Sequence, residues 1–234
     1  MCLTYGNFKA MHIPDGYLSP QTYVPLYAVF ISVIGIAIRK VKRKLSMKLI
    51  PFLGMASAFS FIIMMFNIPI PGGSSGHAVG AALISLILGP WIAVVSISVA
   101  LVLQALIFGD GGITAIGANC LNMAVIMPFV AYFVFKIIKG KSDHPKRMAM
   151  AAFFAGYISL CTAAVFTGVE LGIQPLISSE NGQALHSPYP LSVAVPVMAI
   201  ENLLVFGIVE GIVTAILFKY FYKNNNDLIE ILKH

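Results

Sequence analysis

Charged residues are scarce in this chain. Lys, Arg, Asp and Glu make up 10% of its 234 residues, whereas hydrophobic residues make up 59% and the mean hydropathy is +0.89. Soluble domains carry roughly 25% charged and 45–50% apolar residues. The composition therefore excludes an ordinary soluble domain and predicts an integral membrane protein.

Cysteine is also scarce, and its placement excludes two kinds of site. The three cysteines, Cys2, Cys120 and Cys161, are far apart and form no Cys-x-x-Cys pair. An odd number of cysteines, mostly inside apolar runs, is typical of small packing residues. We therefore expect neither a disulfide framework nor a thiolate metal site.

Motifs for energy use and for catalysis are missing. The sequence has no G-x-x-x-x-G-K-[ST] loop, so ATP binding of that kind is not expected. It has no H-E-x-x-H pair, and its Ser, His and Asp residues form no convergent set for hydrolysis. We expect a protein that is not an enzyme and has no ATPase of its own.

Apolar runs separated by polar or basic segments predict an all-α protein with about seven membrane-spanning helices. A spanning helix needs about 20 mostly apolar residues, with about 17–25 tolerated. The third run is the shortest and is rich in glycine at its start. Residues 11–234 are thus expected to form a single polytopic membrane domain. The runs are residues 23–38, 49–68, 75–88, 91–108, 116–138, 149–172 and 191–218.

Basic residues predict the orientation of these helices. They cluster after the first, fifth and seventh runs, which favours a cytoplasmic location for those segments and argues against a nucleic-acid surface. Seven spans with the N-terminus outside and the C-terminus in the cytoplasm satisfy this pattern. A re-entrant third run would move the second cluster outside, so we expect the third run to cross. The opposite loops without Lys or Arg are residues 69–76, 109–115 and 173–190.

Residues 1–10 precede a second methionine, Met11, and contain Lys9, the one basic residue on the predicted outer side. They lack the basic start and the apolar run of about 7–15 residues that a signal peptide needs. Two interpretations are open: a disordered extension, or a start codon placed too early. We favour the second, in which Met11 begins the protein and its amine is free.

The predicted outer segments carry polar residues and glycines that the spans lack. Consecutive glycines permit close backbone approach and positive φ, which suits a loop folded around a buried group. A histidine at membrane depth is a functional candidate, and the alternative for His77 is an interface histidine bonded to a loop carbonyl. The candidate residues are His12, Asp15, Gly72, Gly73, His77, Asp110 and Asn119.

A free Met11 amine combines with two histidines to predict a metal site. The amine, the His12 backbone nitrogen and the His12 imidazole can close two fused chelate rings, and His77 can supply a fourth nitrogen. Four nitrogens in a plane suit Ni(II) or Cu(II), and imidazole-rich sites also take cobalt. Asp15 and Asp110 are expected to accept hydrogen bonds from the histidines and orient them.

The same motifs resemble those of a known family. Residues 11–20 (MHIPDGYLSP), 71–80 (PGGSSGHAVG), 108–112 (FGDGG) and 117–123 (GANCLNM) are similar to the CbiM/NikM family. Its members are the substrate-capturing membrane subunits of nickel/cobalt energy-coupling-factor importers. The resemblance runs from Met11 to near Tyr220 and is closer to the nickel-type members. Residues 1–10 depart from the family pattern, because they turn the Met11 amine into an amide.

This resemblance implies a fold, a function and partners. It implies seven helices, with the N-terminal segment inserted into the bundle from outside, and metal ligands at Met11, His12 and His77. The implied function is high-affinity import of Ni²⁺ first and Co²⁺ next, the latter for cobalamin biosynthesis, across a prokaryotic cell membrane. The ion is the substrate, and no cofactor is implied. The implied partners are a transmembrane coupling subunit, two ATPase subunits and a small accessory membrane protein.

Two other functions stay open from the residues alone. A proton-coupled secondary metal carrier is supported only by Glu170, Glu201 and Glu210, which lie in or near predicted spans. For these acids we favour packing or hydrogen bonds between helices over metal contact. A membrane metal-dependent hydrolase needs an open coordination position and a general base, and Asp15 or Asp110 is its only candidate base.

Overall fold

The computed structural model describes residues 12–44, 49–70 and 75–224. Most of this chain is helical, and two short antiparallel hairpins, β1–β2 and β3–β4, lie in loops. Our predictions for Met11, Gly72, Gly73 and residues 1–10 lie outside the described residues. The helices are α1 (Pro20–Lys44), α2 (Ile50–Met65), α3 (Ala81–Leu88), α4 (Pro90–Leu103), α5 (Ile116–Asn119), α6 (Met127–Lys139), α7 (Pro145–Gly172), α8 (Gln174–Ile177), α9 (Leu191–Glu201) and α10 (Gly207–Asn224). The strands are β1 (Ile68–Pro69), β2 (Ser75–Gly76), β3 (Ser179–Glu180) and β4 (Gln183–Ala184).

Three stretches of π-helix adjoin these α-helices within the described chain. Gln104–Phe108 extends α4, Cys120–Ile126 joins α5 to α6, and Asn202–Phe206 joins α9 to α10. A π-helix has a wider turn than an α-helix and is rare in proteins. The π-helical turns that do occur are often found at functional sites. Two of the three stretches adjoin residues of the candidate site described below, Asp110 and Asn119.

Long apolar helices confirm the prediction of a polytopic helical membrane protein. Among the described residues, five helices are long and apolar enough to cross a membrane, and α2 is a shorter apolar helix. The first, fourth, fifth, sixth and seventh predicted runs each lie within one of the five. The count of seven crossings and the orientation of the termini stay predictions. The five helices are Pro20–Arg43, Pro90–Phe108, Ile116–Lys139, Pro145–Ile177 and Leu191–Asn224.

The third predicted run differs from a spanning helix. Its helical part, α3, has eight residues, which makes it about 12 Å long at about 1.5 Å per residue. The hydrocarbon core of a bilayer is about 30 Å thick, so α3 alone cannot cross it. Gly80 and Gly89 adopt positive φ angles of 73° and 88° and set the two ends of the helix. The residues before it, 77–80, form no helix or strand and are buried.

The main apolar core lies between α1, α2, α3, α4, α7 and the helix that runs from 116 to 139. Met64, Met123 and Met127 are fully buried in it. Cys120 is buried in the same core as a free thiol, which confirms the prediction that it is a packing residue. The core holds the helices that carry the candidate site in fixed positions.

Candidate metal centre

The N-terminal segment, residues 12–19, lies inserted among the helices. Ile13 and Leu18 are almost completely buried, and they pack with Ala115, Ala118 and Leu171 from α5, its preceding loop and α7. Burying large aliphatic side chains in this way contributes about 1.5–3 kcal/mol each. The segment is therefore held inside the bundle by its own apolar residues, and His12 is carried in with them.

Asn119 fixes the backbone next to His12. Its Oδ1 accepts the N–H of Ile13 at 2.9 Å, and its Nδ2 donates to the carbonyl of Ile13 at 3.2 Å. The N–H of Gly112 donates to the same carbonyl at 2.9 Å. Asn119 thus makes the two hydrogen bonds with Ile13 that a neighbouring β-strand would make. Through them it supports the N-terminal segment beside His12.

Asp15 ties the same segment to the loop before α5. Its carboxylate accepts hydrogen bonds from the N–H of Ile113 at 3.1 Å and from the N–H and hydroxyl of Thr114 at 2.8 and 2.6 Å. Gly112 is required there, because an added Cβ would collide with the backbone N of Asp15. The carboxylate of Asp15 therefore holds the loop before α5. That it also orients a histidine stays a prediction.

We predict that Asp15→Ala loosens the segment and weakens metal binding by about tenfold, at the low end of the effect of supporting contacts around a metal. The Thr114 hydroxyl and the backbone N–H groups hold the pKa of Asp15 below its ordinary value of 3.8, against the opposing effect of burial. A carboxylate with a lowered pKa stabilises the folded state fully above its ordinary pKa and loses this effect as pH falls through the lowered value. The Asp15 anchor is therefore expected to persist throughout the neutral range.

Calorimetric titration of purified protein with nickel at pH 7 measures this effect. Asp143→Ala is a matched control, because Asp143 is exposed, lies on the loop between α6 and α7, and forms an ion pair with Lys139 at 2.9 Å. Equal affinities of the Asp15 and Asp143 variants for nickel would show that the anchor does not serve the site.

His12 and His77 meet in the interior. Both residues are 3% exposed, and their ring centroids lie 4.9 Å apart with an interplanar angle of 63°. Within the described chain, neither ring nitrogen of His12 has a hydrogen-bond partner. Buried polar atoms are almost always satisfied, so a buried imidazole without hydrogen bonds indicates a place for a ligand.

Asp110 stands beside His12. Its Oδ2 lies 3.3 Å from the His12 Nδ1, in the ion-pair range. That Asp110 orients a metal-binding histidine stays a prediction. Nδ1 is the ring nitrogen that can close a chelate ring with the backbone nitrogen of the same residue. A carboxylate next to it raises the local attraction for a cation.

The His77 ring contacts a backbone carbonyl. Its Nδ1 lies 3.1 Å from the carbonyl oxygen of Ala78, and this is the bond that the interface alternative for His77 expected. The same bond is typical of metal-binding histidines, which donate one ring N–H to a carbonyl and so fix the tautomer of the other nitrogen. Burial against His12 distinguishes the two alternatives, because an interface histidine would not face a second buried imidazole.

Some contacts of the N-terminal segment were missed from the sequence. Gln174 of α8 accepts the N–H of Ser19 at 2.9 Å. In the outer loop before α9, the His186 Nδ1 lies 2.9 Å from the carbonyl oxygen of Gly16, and the Ser187 N–H donates to that of Tyr17 at 3.1 Å. These residues are far away in sequence and belong to no motif, so no sequence signal could have identified them.

Side chains alone do not complete a metal site in the described chain. No group of three or more His, Cys, Asp and Glu side chains there is arranged to hold a metal ion. The site expected from the sequence uses two imidazoles and two main-chain nitrogens, one of them at Met11, outside the described residues. The facing imidazoles of His12 and His77 are ligands of the kind that a nitrogen-preferring divalent cation takes.

Comparison with known proteins places these features in a family. The family model for CbiM, described as a cobalt uptake substrate-specific transmembrane region, matches residues 12–228. The chain is 48% identical to the fused nickel transport protein NikMN of Rhodobacter capsulatus over 94% of its own residues and 64% of that protein. It is 44% identical to the probable fused nickel transport protein LarMN of Lactiplantibacillus plantarum over 90% of its residues and 64% of that protein. The chain thus spans less than two thirds of these relatives.

A solved structure shares the fold. The crystal structure of a transition metal transporter superimposes with a TM-score of 0.87 and 44% sequence identity, covering 94% of this chain and 96% of the other. Likeness in fold and sequence over nearly the whole of both chains shows that the same helical arrangement is used.

Proposed function

Because the chain belongs to the CbiM family of substrate-specific transmembrane regions for cobalt uptake, we propose that it captures Ni²⁺, and Co²⁺ less readily, for an ATP-driven importer. It is a multi-pass protein of the prokaryotic cell membrane. Support for nickel as the preferred ion comes from the two nickel transport relatives at 44–48% identity. Cobalt imported by the same route would serve cobalamin biosynthesis.

The observation that carries this proposal is the buried pair of His12 and His77 beside Asp110. The two imidazoles face each other away from solvent, and the ring nitrogens of His12 lack hydrogen bonds within the described chain. Such a pair is costly in a protein interior unless a ligand satisfies it. A nitrogen-preferring divalent ion satisfies it without any chemical reaction, so capture and release are enough to explain the geometry.

The Met11 amine is the proposed fourth nitrogen. Residue 11 is bonded directly to His12, so its amine can join the His12 backbone nitrogen and imidazole in two fused rings. Four nitrogen ligands favour the square-planar geometry that suits Ni(II) and Cu(II). Because the affinity order of divalent metals favours copper, the rigid support of the N-terminal segment must contribute to the choice of nickel.

Partners supply the energy in this proposal. The sequence has no P-loop, so two ATPase subunits act through a transmembrane coupling subunit, and a small accessory membrane protein completes the complex. The site loads from the outer side, where Gly16 and Tyr17 are held by the loop before α9. Motion of the partners then loosens the segment and releases the ion to the cytoplasm.

The buried glutamates do not favour a proton-coupled carrier. Glu170 accepts a hydrogen bond from Asn122 at 2.8 Å, and Glu210 accepts two from the backbone of residues 79 and 80. Both carboxylates therefore have the hydrogen bonds between packed segments that we favoured for them. Asp15, one of the two candidate bases for a hydrolase, accepts hydrogen bonds from the loop before α5.

Nickel uptake into cells that express this protein with and without the ATPase subunits tests the proposal. We expect uptake only when the ATPase and coupling subunits are present together with this chain. Uptake that persists without the ATPases, and collapses when a protonophore removes the proton gradient, would instead identify a secondary carrier. Cells that lack this chain provide the baseline.

A further inference from the structure

His77 belongs to a buried stretch of irregular chain. Residues 77–80 form no helix or strand, yet each of them is buried. Non-helical chain in a membrane protein is tolerated only where protein groups satisfy its backbone or where it lines a water-filled cavity. The groups that bond to this backbone therefore determine where the His77 imidazole lies. If the proposed function holds, they also determine the geometry of the metal site.

Glu210 of α10 is one of these partners. Its Oε2 accepts the N–H of Val79 at 2.8 Å and the N–H of Gly80 at 3.1 Å, across 131 and 130 residues of sequence. The Glu210 side chain is completely buried. The carboxylate reaches the start of α3. There the first helical N–H groups lack partners within the helix, and the helix dipole favours negative charge. Gly80 has no side chain to cap this helix, and a carboxylate from another helix does so instead.

Ser60 of α2 holds the same stretch from the opposite side. Its hydroxyl donates to the carbonyl of Val79 at 2.9 Å, and the residue is completely buried. Val79 is thus bound through its N–H by α10 and through its carbonyl by α2. A shift of α10 relative to α2 must break one of these two bonds or move the residue.

A second contact holds the chain on the other side of His77. It comes from the π-helical stretch that directly precedes α10. The Phe206 ring packs on Gly76 so closely that an added Cβ would lie 2.6 Å from it. Phe206 and Glu210 are four residues apart, which places them on one face of neighbouring helical turns. His77 therefore lies between two contacts, at residues 76 and 79–80. Both contacts come from the continuous helix that the π-helical stretch and α10 form.

We propose that Glu210 is the positioning residue for His77, and that withdrawal of α10 from the start of α3 is the movement that frees His77 from the metal. Glu210 acts on His77 through the backbone, because its Oε2 accepts the N–H groups of residues 79 and 80. Loss of this carboxylate leaves the N–H groups of residues 79 and 80 without their acceptor, and the 77–80 stretch then moves. The π-helical stretch Asn202–Phe206 directly precedes α10 and is a place where such a movement can begin.

Dissociation of nickel from purified protein that begins at Met11, started by an excess of chelator, tests this inference. We expect Glu210→Ala to release nickel about 10–100-fold faster than wild type, since loss of a group that supports a metal ligand costs about that factor in affinity. Glu210→Gln keeps one acceptor oxygen but loses the charge. Its rate of nickel release should therefore fall between the rates of wild type and of Glu210→Ala. The ligand-field absorption band of bound Ni(II) should shift in Glu210→Ala, because displacement of His77 distorts the coordination plane.

Glu170→Gln is the matched control, because Glu170 is a second buried glutamate whose carboxylate accepts from Asn122 and not from the His77 stretch. A merely structural role for Glu210 predicts that both variants lower the melting temperature and leave the nickel spectrum unchanged; this result would overturn the inference.

If Glu210→Ala does not fold, Ser60→Ala removes only the hydroxyl and should still accelerate release. Release at the wild-type rate would then overturn the inference. Absence of nickel binding by the wild type would overturn the proposed function as well, whereas normal binding with unchanged variants overturns this inference alone.

Discussion

Replacing either His12 or His77 by alanine is expected to abolish stoichiometric nickel binding by the purified protein. Each substitution removes an imidazole from a buried pair whose ring centroids lie 4.9 Å apart. Water cannot easily replace the lost nitrogen, because both side chains are 3% exposed. The loss should exceed the roughly 10–100-fold effect of removing a group that only supports a ligand.

Equilibrium dialysis followed by metal analysis measures this loss directly. The matched control is His144→Ala, because His144 lies exposed at the start of α7 and should leave one nickel ion bound per chain. Circular dichroism of each variant shows whether the helices are intact. One nickel ion per chain in either His12→Ala or His77→Ala would contradict the four-nitrogen site and the function proposed from it.

The long helices could be predicted from hydropathy because a bilayer imposes a simple length requirement on each of them. The eight-residue α3 could not, since its start depends on Glu210, a carboxylate more than a hundred residues away. The sequence shows glycines at residues 76 and 80 but does not show which helix occupies the space beside them. A local pattern therefore predicted this apolar run, but it did not predict that only eight of its residues are helical or that distant contacts hold the chain before them.

The candidate site was predictable to the extent that its motifs are local. Residues 12–15 and 108–112 stand out as short patterns of polar residues and glycine, and the structure brings Asp110 within 3.3 Å of His12. The loop partners of Asp15 could not be predicted from the sequence, because a carboxylate near two histidines has several donors to choose from in three dimensions. Glu210 was visible as an intramembrane acid, but its contact with the His77 stretch required the fold.

The N-terminal amine is the ligand on which the proposed geometry depends most. Protein that begins at Met11 is expected to bind nickel more than about 100-fold more tightly than protein that carries residues 1–10. The amide formed at Met11 in the longer protein is a poorer ligand than an amine, so one of the two fused chelate rings is lost. Removal of a group that only supports a ligand already costs about 10–100-fold, and loss of a ligand itself should cost more.

Calorimetric titration of the two proteins with nickel, prepared side by side, measures this difference, and sequencing of the native N-terminus shows which form the cell makes. Acetylation of the shorter protein is the matched control, because it turns the amine into an amide while adding only one small acetyl group. Ligands must be deprotonated to bind metal, so affinity of the shorter protein should fall as pH drops through the neutral range, where a terminal amine takes up its proton. Acetylated protein should lose the part of this pH dependence that belongs to the amine. Equal affinities of the free, acetylated and extended proteins would exclude the amine as a ligand and leave His12 and His77 to bind nickel with other groups.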